Sequence, residues 1–392
     1  MPRVLRIINR FNLGGPTYNA AYLTKYLPPE FETLLVGGLK DESEESSMHI
    51  LNQLNLKPII LDEMRREVNL FDDRLAYQKI KTIIKEFKPD IVHTHASKPG
   101  ALGRLAAHEL KVPVIVHTFH GHSFHSYFNP LKTAFYRKIE RHLATKSNAI
   151  IALSEKQKSE LVDEHKICEA DKVVIVPLGF DLMRFQSEIE SKRNIFRKQY
   201  HLADQDIAIG IIGRLVPIKN HDLFLRAIKI LKYRSKNNIR AFVVGDGEEK
   251  QRLMDLCAYI DLSFSEKPED RATVTFTSWI KDIDYVNAGV DIVCLTSKNE
   301  GTPVSLIEAQ AANKPIVSTK VGGIENIVVP GQTALLSETN NHVTLANNLL
   351  RLVEDQKLRA EFGSDGWSFV KQKFHYERLV NDMSQLYTRL LN

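Results

Sequence analysis

Glu300 and Glu308 stand eight residues apart in Ser297-Lys298-Asn299-Glu300-Gly301-Thr302-Pro303-Val304-Ser305-Leu306-Ile307-Glu308-Ala309, a spacing suited to holding hydroxyl groups. The apolar run Asp291–Leu295 reads as a strand leading in, so Glu300 and Gly301 belong to the loop at its carboxyl end. Pro303 suits the first turn of a helix, where its missing N–H is no loss. Together the loop and the helix start offer free backbone amides around Gly301, Thr302 and Val304, a ready site for an anion or a hydroxyl. Glu308 is more than a turn further in and within reach of the same crevice. A carboxylate there takes bidentate hydrogen bonds from vicinal hydroxyls such as those of a ribose. A surface loop with a first-turn glutamate complementing the helix dipole explains one of the two carboxylates but not the whole string.

Further groups extend this chemistry toward phosphate. Gly213-Arg214-Leu215-Val216-Pro217-Ile218-Lys219 follows the apolar run Ile207–Ile212 in a loop that opens a helix. Arg214 offers a planar fork for two oxygens and Lys219 a point charge, a pair that suits a diphosphate; the alternative is a solvated basic loop. Gly14-Gly15-Pro16 follows the first strand, where glycines let backbone amides approach a phosphate and Pro16 starts a helix. A generic tight turn is the competing reading. The pattern G-x-G-x-x-G is absent, and the first domain has no acidic residue at the ribose position, which disfavours a dinucleotide oxidoreductase.

Seven of the fourteen histidines fall between His93 and His125. His93-x-His95 and His120-x-His122 each put two imidazoles on one face of an extended segment, so a metal-dependent hydrolase is one reading. Such a site wants a nearby carboxylate, and between Asp90 and Glu140 the only acid is Glu109. His93 and His117, on buried strands, read as hydrogen-bonded core residues. Lys98 opens the segment after the strand Ile91–His95, where it either meets an acceptor phosphate or is a solvated first-turn lysine.

The elements that position these residues alternate short β-branched runs with longer amphipathic segments. Val4–Ile8, Thr33–Val36, Pro58–Leu61, Ile91–His95, Val114–His117, Ala149–Leu153 and Val173–Val176 read as strands, with helices such as Tyr18–Leu27, Leu75–Phe87 and Pro99–Leu110 between them. A second series comprises Ile207–Ile212, Arg240–Val244, Val274–Phe276, Asp291–Leu295 and Ile316–Thr319. The alternation predicts an α/β chain of two Rossmann-like domains facing each other across a cleft, with ligands at the carboxyl ends of the strands. The irregular stretch from Pro177 to about Glu190 is the expected hinge, with domains over 1–185 and 186–374. The tail residues Tyr376, Leu379, Met383, Leu386 and Leu390 recur at helical spacing, and Glu266–Arg271 reads as a polar surface insertion.

Composition agrees with two ordinary globular domains: 392 residues, 43% hydrophobic and 26% charged. A net charge of +5 suits anionic ligands or an anionic membrane surface but is too small to argue for nucleic acid. The three widely spaced cysteines, Cys168, Cys257 and Cys294, read as free thiols of a reducing compartment. With Arg3, Arg6 and Arg10 interrupting its first strand and no apolar run near the ~20 residues of a membrane span, the chain is expected in the cytoplasm, at most peripheral to a membrane. Lys132, Arg137, Lys138, Arg141 and Lys146 share a predicted helix with Leu131, Phe135, Tyr136, Ile139 and Leu143, a basic amphipathic pattern compatible with such peripheral contact.

Five stretches occur in a telling order: Gly14-Gly15-Pro16, Thr118-Phe119-His120-Gly121-His122, Gly213 to Lys219, the string with Glu300 and Glu308, and Val321-Gly322-Gly323-Ile324-Glu325. This series resembles the E-x7-E type of retaining glycosyltransferase family 4, which has the GT-B fold, and the resemblance covers nearly the whole chain. It implies a last helix, about 375–392, that crosses back onto the N-terminal domain. It also implies a donor nucleotide sugar in the C-terminal domain and an acceptor in the N-terminal one. By the same resemblance Arg214 and Lys219 hold the donor diphosphate, and Gly14 and Gly15 close over it. Glu300 with Gly301, Thr302, Pro303 and Val304 meets the transferred sugar, Glu308 grips the ribose, and His120 hydrogen-bonds a sugar hydroxyl. His95, Lys98, His122 and His125 line the acceptor side. Asn220 departs from the Gly found in many relatives.

The implied reaction is same-face substitution, in which the leaving phosphate takes the acceptor proton, with no metal and no cofactor. The expected donor is a UDP-hexose or UDP-N-acetylhexosamine, with GDP-mannose or GDP-fucose second. The expected acceptor is a glycan or lipid-linked glycan in bacterial surface-polysaccharide assembly. A nucleotide-sugar epimerase and a non-catalytic sugar-nucleotide binder are the readings from other classes.

Overall fold

The structure, a computed structural model, describes residues 1–12, 14–41, 46–65, 67–120 and 130–392, the last stretch without the side chains of residues 130–132. The chain forms two compact units, Met1–Phe180 with Lys373–Asn392, and Asp181–Gln372. A short backbone bridge holds the border of the first unit: Phe180 N donates to Phe374 O at 2.8 Å and Tyr376 N to Phe180 O at 3.0 Å.

The first unit is built on seven parallel strands: β1 (Arg3–Arg10), β2 (Glu32–Gly38), β3 (Ile59–Ile60), β4 (Ile91–His95), β5 (Val114–Thr118), β6 (Ala149–Ala152) and β7 (Val173–Ile175). Their order is β3-β2-β1-β4-β5-β6-β7. The second unit has β8 (Ile207–Ile212), β9 (Ile239–Val244), β10 (Phe264–Ser265), β11 (Val274–Ser278), β12 (Ile292–Leu295), β13 (Ile316–Thr319) and β14 (Ala334–Ser337), ordered β10-β11-β9-β8-β12-β13-β14 and again parallel. Parallel sheets are covered by helices on both faces, which is why a run such as Ile-Ala-Ile-Gly-Ile-Ile in β8 is buried along its whole length.

Both sheets reverse their winding beside their first strand. β1 lies between β2 and β4, and β8 between β9 and β12. At such a point the loops leaving two neighbouring strands diverge and open a crevice at the carboxyl edge. In the second unit those are the loops after β8 and β12, which carry Arg214, Lys219 and Glu300. In the first they are the segments after β1 and β4, where Gly14 leads into the helix Gly15–Tyr26 and Lys98 stands in the first turn of the helix Ser97–Glu109.

The C-terminal helix Tyr376–Leu391 belongs to the first unit. His375 caps it, and Leu379, Val380, Met383, Leu386 and Tyr387 pack with Val4, Ile91, Val114 and Val116. Burying five such side chains contributes roughly 10 kcal/mol before entropy is subtracted. Two strands carry no clear sequence signal. β10 is two residues long, and β14 follows the turn at Pro330-Gly331 as an edge strand. Among the described residues no helix is long and apolar enough to cross a membrane.

Candidate active site

In the second unit the loops after β8 and β12 are tied together by their backbones. Lys298 N donates to Ile218 O at 2.8 Å, and Thr296 Oγ1 reaches Lys219 O and Asn220 O, each at 3.0 Å. Pro217–Lys219 form a short 3-10 turn, and Asn220 then takes a left-handed conformation at φ 52° before the helix His221–Arg234. Glycine is the usual residue in that conformation and asparagine one of the few others that tolerates it, so the departure at Asn220 preserves the turn.

Glu300 is almost covered. Its Oε1 accepts from Lys219 Nζ and from Ser297 Oγ, both at 2.5 Å. Arg214 is exposed and, among the described residues, has no side-chain partner, so one of the two cations is latched to a carboxylate while the other is open. Pro303 stands just before the helix Val304–Ala311 rather than within its first turn. No side chain caps that helix, which leaves the first amides, Val304 and Ser305, uncapped.

The turn at Gly322-Gly323 is pressed onto the Glu300 loop. Gly323 N donates to Glu300 O at 2.8 Å. A Cβ at Gly322, where φ is +53°, would lie 2.0 Å from Glu300 O, and one at Gly323 would lie 1.9 Å from Gly301 O. Only glycine allows this approach, which fixes the backbone of the loop that carries Glu300.

Glu308 projects from the same helix into a half-buried setting. Burial pushes its carboxyl up to about 7, Arg184 opposes the rise and Asp284 adds to it. Arg184 Nη2 stands 3.6 Å from Glu308 Oε1, near but outside hydrogen-bond range. Arg184 gives no signal in the sequence because it sits on the segment entering the second unit, far from Glu308 along the chain. The loop Gly245-Asp246-Gly247 after β9 also went unpredicted, although a Gly-x-Gly after an apolar run is a visible cue. Its Asp246 O accepts from Leu215 N at 2.9 Å, and a Cβ on Gly245 would lie 2.0 Å from Gly213 O. This loop therefore braces the Arg214 turn.

In the first unit, Gly14 precedes the uncapped helix Gly15–Tyr26, with Pro16 in its first turn. β4 and β5 carry a buried histidine network. His93 is satisfied at both nitrogens, by Tyr387 Oη at 2.6 Å and Thr118 Oγ1 at 2.7 Å, and His117 Nδ1 is 2.8 Å from Thr94 Oγ1. Both are the hydrogen-bonded core residues expected from their strands, and His93 has no nitrogen left for a metal. His95 is wholly buried, its Nδ1 2.9 Å from His120 Nε2.

Burial drives the imidazoles of His93, His95 and His117 well below their ordinary range, assisted by neighbouring cationic groups, and holds His120 down to about 3. These rings are neutral at physiological pH. Lys98 is neither solvated nor open: its Nζ binds Asp73 Oδ1 at 2.6 Å and also Glu67 O. His122 and His125 lie outside the described residues. On the helix Pro130–Thr145, Phe135 and Lys138 are exposed, whereas Arg141 is spent on the carbonyls of His165 and Lys166.

Residues 34–184 match the family model described as Glycosyltransferase Family 4, and residues 192–367 match Glycosyl transferases group 1. The chain is 29% identical over 308 residues to the UDP-Gal:alpha-D-GlcNAc-diphosphoundecaprenol alpha-1,3-galactosyltransferase of Escherichia coli, covering 78% of this chain and 76% of that one. It is 25% identical over 332 residues, 84% of each chain, to the capsular polysaccharide biosynthesis glycosyltransferase CapM of Staphylococcus aureus. Among solved structures it resembles Anabaena Alr3699/HepE in complex with UDP, with TM-score 0.78, 19% identity and coverage of 99% and 100%. A glycosyltransferase from Rickettsia africae ESF-5 gives TM-score 0.81 at 20% identity, covering 100% and 99%.

Proposed function

This chain belongs to glycosyltransferase family 4 and has the GT-B fold, and from that premise we propose that it is a retaining, metal-independent transferase. It takes a sugar from a nucleotide diphosphate donor, a UDP-hexose or UDP-N-acetylhexosamine, and uses no cofactor. The acceptor is a hydroxyl of a glycan or lipid-linked glycan. The observation that carries this reading is that the neighbouring loops after β8 and β12, within one unit, carry the open cation Arg214, the Lys219–Glu300 ion pair and an uncapped helix start. The E. coli relative is named for a UDP-sugar and a diphosphoundecaprenol acceptor, and Alr3699/HepE holds UDP and UDP-glucose; both favour a uridine donor, and the first a lipid-linked acceptor.

Arg214 and Lys219 balance the charge that grows on the diphosphate as the sugar C1–O bond breaks. The acceptor oxygen bonds C1 on the face the diphosphate leaves, and its proton passes to the departing phosphate oxygen. Uncapped amides at Val304 and Ser305, with Glu300, orient the sugar. Glu308 takes the ribose hydroxyls, the turn at Gly14-Gly15 meets the donor phosphates, and His120 hydrogen-bonds a sugar hydroxyl. Lys219 is released from Glu300 when the diphosphate replaces the carboxylate as its partner. Phe135 and Lys138 are the residues through which the protein would rest on the inner face of a membrane.

The test is thermal stabilisation by UDP, GDP, ADP and CMP, with and without EDTA, in wild type and Arg214→Ala. A ligand at ~100 times its Kd adds about 2.7 kcal/mol of stability. The expected result is a shift with UDP that ignores EDTA and shrinks in Arg214→Ala. A shift with GDP alone would move the donor to a guanosine sugar. No shift with any nucleotide would overturn the transferase reading.

A further inference from the structure

His95 and His120 share a single proton. Their Nδ1 and Nε2 atoms are 2.9 Å apart, the rings are stacked with centroids at 5.2 Å, and burial keeps both imidazoles neutral. One nitrogen of the pair donates and the other accepts. The outer nitrogens, His95 Nε2 and His120 Nδ1, are enclosed and have no hydrogen-bond partner among the described residues.

Either placement of the shared proton leaves one bare N–H and one bare lone pair. With the proton on His120 Nε2, the bare donor is His95 Nε2; with the proton on His95 Nδ1, it is His120 Nδ1. A buried donor without an acceptor is the rarer and costlier defect, and it is best tolerated where a ligand can relieve it. Burial discriminates between the two. His95 is wholly enclosed and its ring lies 4.2 Å from that of His93, which is itself locked between Tyr387 and Thr118. His120 retains partial exposure.

We propose that His95 is a positioning residue, which donates from Nδ1 to His120 Nε2 and so fixes His120 in the tautomer that carries its proton on Nδ1. His120 then offers a donor with no partner among the described residues. What it recognises is an acceptor oxygen, and a substrate group that can only donate is refused. This assignment rests on the reading above, in which His120 meets a sugar hydroxyl; it gives that contact its direction. It also gives His95 a role different from the acceptor-side contact expected from the sequence, because a wholly buried ring touches no substrate. Tyr387, through His93, makes the C-terminal helix part of the support.

Long-range 1H–15N correlation on protein labelled at histidine reads the tautomer directly, with His120→Gln to assign the signal. Wild type is expected to show His120 protonated at Nδ1 and bare at Nε2. His95→Asn places an amide N–H where the Nδ1–H stood. It should keep that tautomer and retain kcat within about threefold. His95→Leu removes the donor; His120 should revert to the Nε2–H form common in free imidazole, and kcat should fall about tenfold or more with UDP affinity unchanged.

A wild-type His120 protonated at Nε2 would overturn the proposal, as would equal kcat losses in the Asn and Leu variants. Should the Leu variant not fold, the wild-type and Asn spectra still decide. An Nδ1–H tautomer in a protein that transfers no sugar would sink the transferase reading alone and leave the tautomer lock standing.

Discussion

Replacing Glu308 with glutamine removes a charge that the free protein holds at a cost. The side chain is 15% exposed, and its one cationic neighbour among the described residues, Arg184, is 3.6 Å away and 37% exposed. Solvent screening weakens that pairing, so burial dominates and lifts the carboxyl from 4.5 to about 7. Because the folded value lies above the unfolded one, the folded protein holds an extra proton between those pH values. The associated stability is full below about 4.5 and is lost as pH rises through about 7. Lifting the carboxyl that far corresponds to ~3 kcal/mol against its ionised form.

Glutamine is neutral throughout. Glu308→Gln should therefore unfold in urea like wild type near pH 4 and be more stable at pH 8, by at most ~3 kcal/mol. Binding should move oppositely. UDP-glucose carries no phosphate group that titrates near neutrality, so its affinity reports the protein. Ionised Glu308 is the better acceptor for ribose hydroxyls, so wild-type affinity should rise about tenfold from pH 6 to pH 8, and the glutamine variant should be weaker and flat. A stability gap between the two proteins that stays constant from pH 5 to 8 would refute the burial argument. A pH-independent wild-type affinity would refute the ribose assignment.

Two further changes test the backbone of the site. Gly323→Ala puts a Cβ 1.9 Å from Gly301 O, so the Glu300 loop must shift; a loss of ~1–3 kcal/mol in urea unfolding and weakened UDP-sugar binding are expected, and wild-type values for both would contradict the close approach. Asn220→Gly should be neutral or stabilising by up to ~1 kcal/mol, whereas Asn220→Val, forced to φ 52°, should destabilise by ~1–2 kcal/mol; equal midpoints for the two variants would show that the left-handed turn is not rigid.

Much of the fold was written in local pattern. Runs that begin with Ile marked strands such as β4, β8 and β13 to the residue, because a strand buried on both faces is rich in Val and Ile wherever it lies in the chain. β10 and β14 escaped because a two-residue strand and a short edge strand need little apolar length of their own. The order of Gly14-Gly15, His120, Arg214, Lys219, Glu300 and Glu308 was legible, since all but Glu308 follow a strand end that periodicity reveals and Glu308 lies on the helix after one.

Partnership was not legible. Lys98 gave no sign that it is consumed by Asp73, His95 that it is sealed against His120, or Glu308 that Arg184 stands beside it. Those facts join residues 25 to 124 positions apart, and the free energy of a charge depends on its neighbours and on exclusion of water. The sequence by itself determined which chemical groups are present and which strand ends carry them. Tertiary structure alone decided which are paired, which are neutral and which remain open to a ligand.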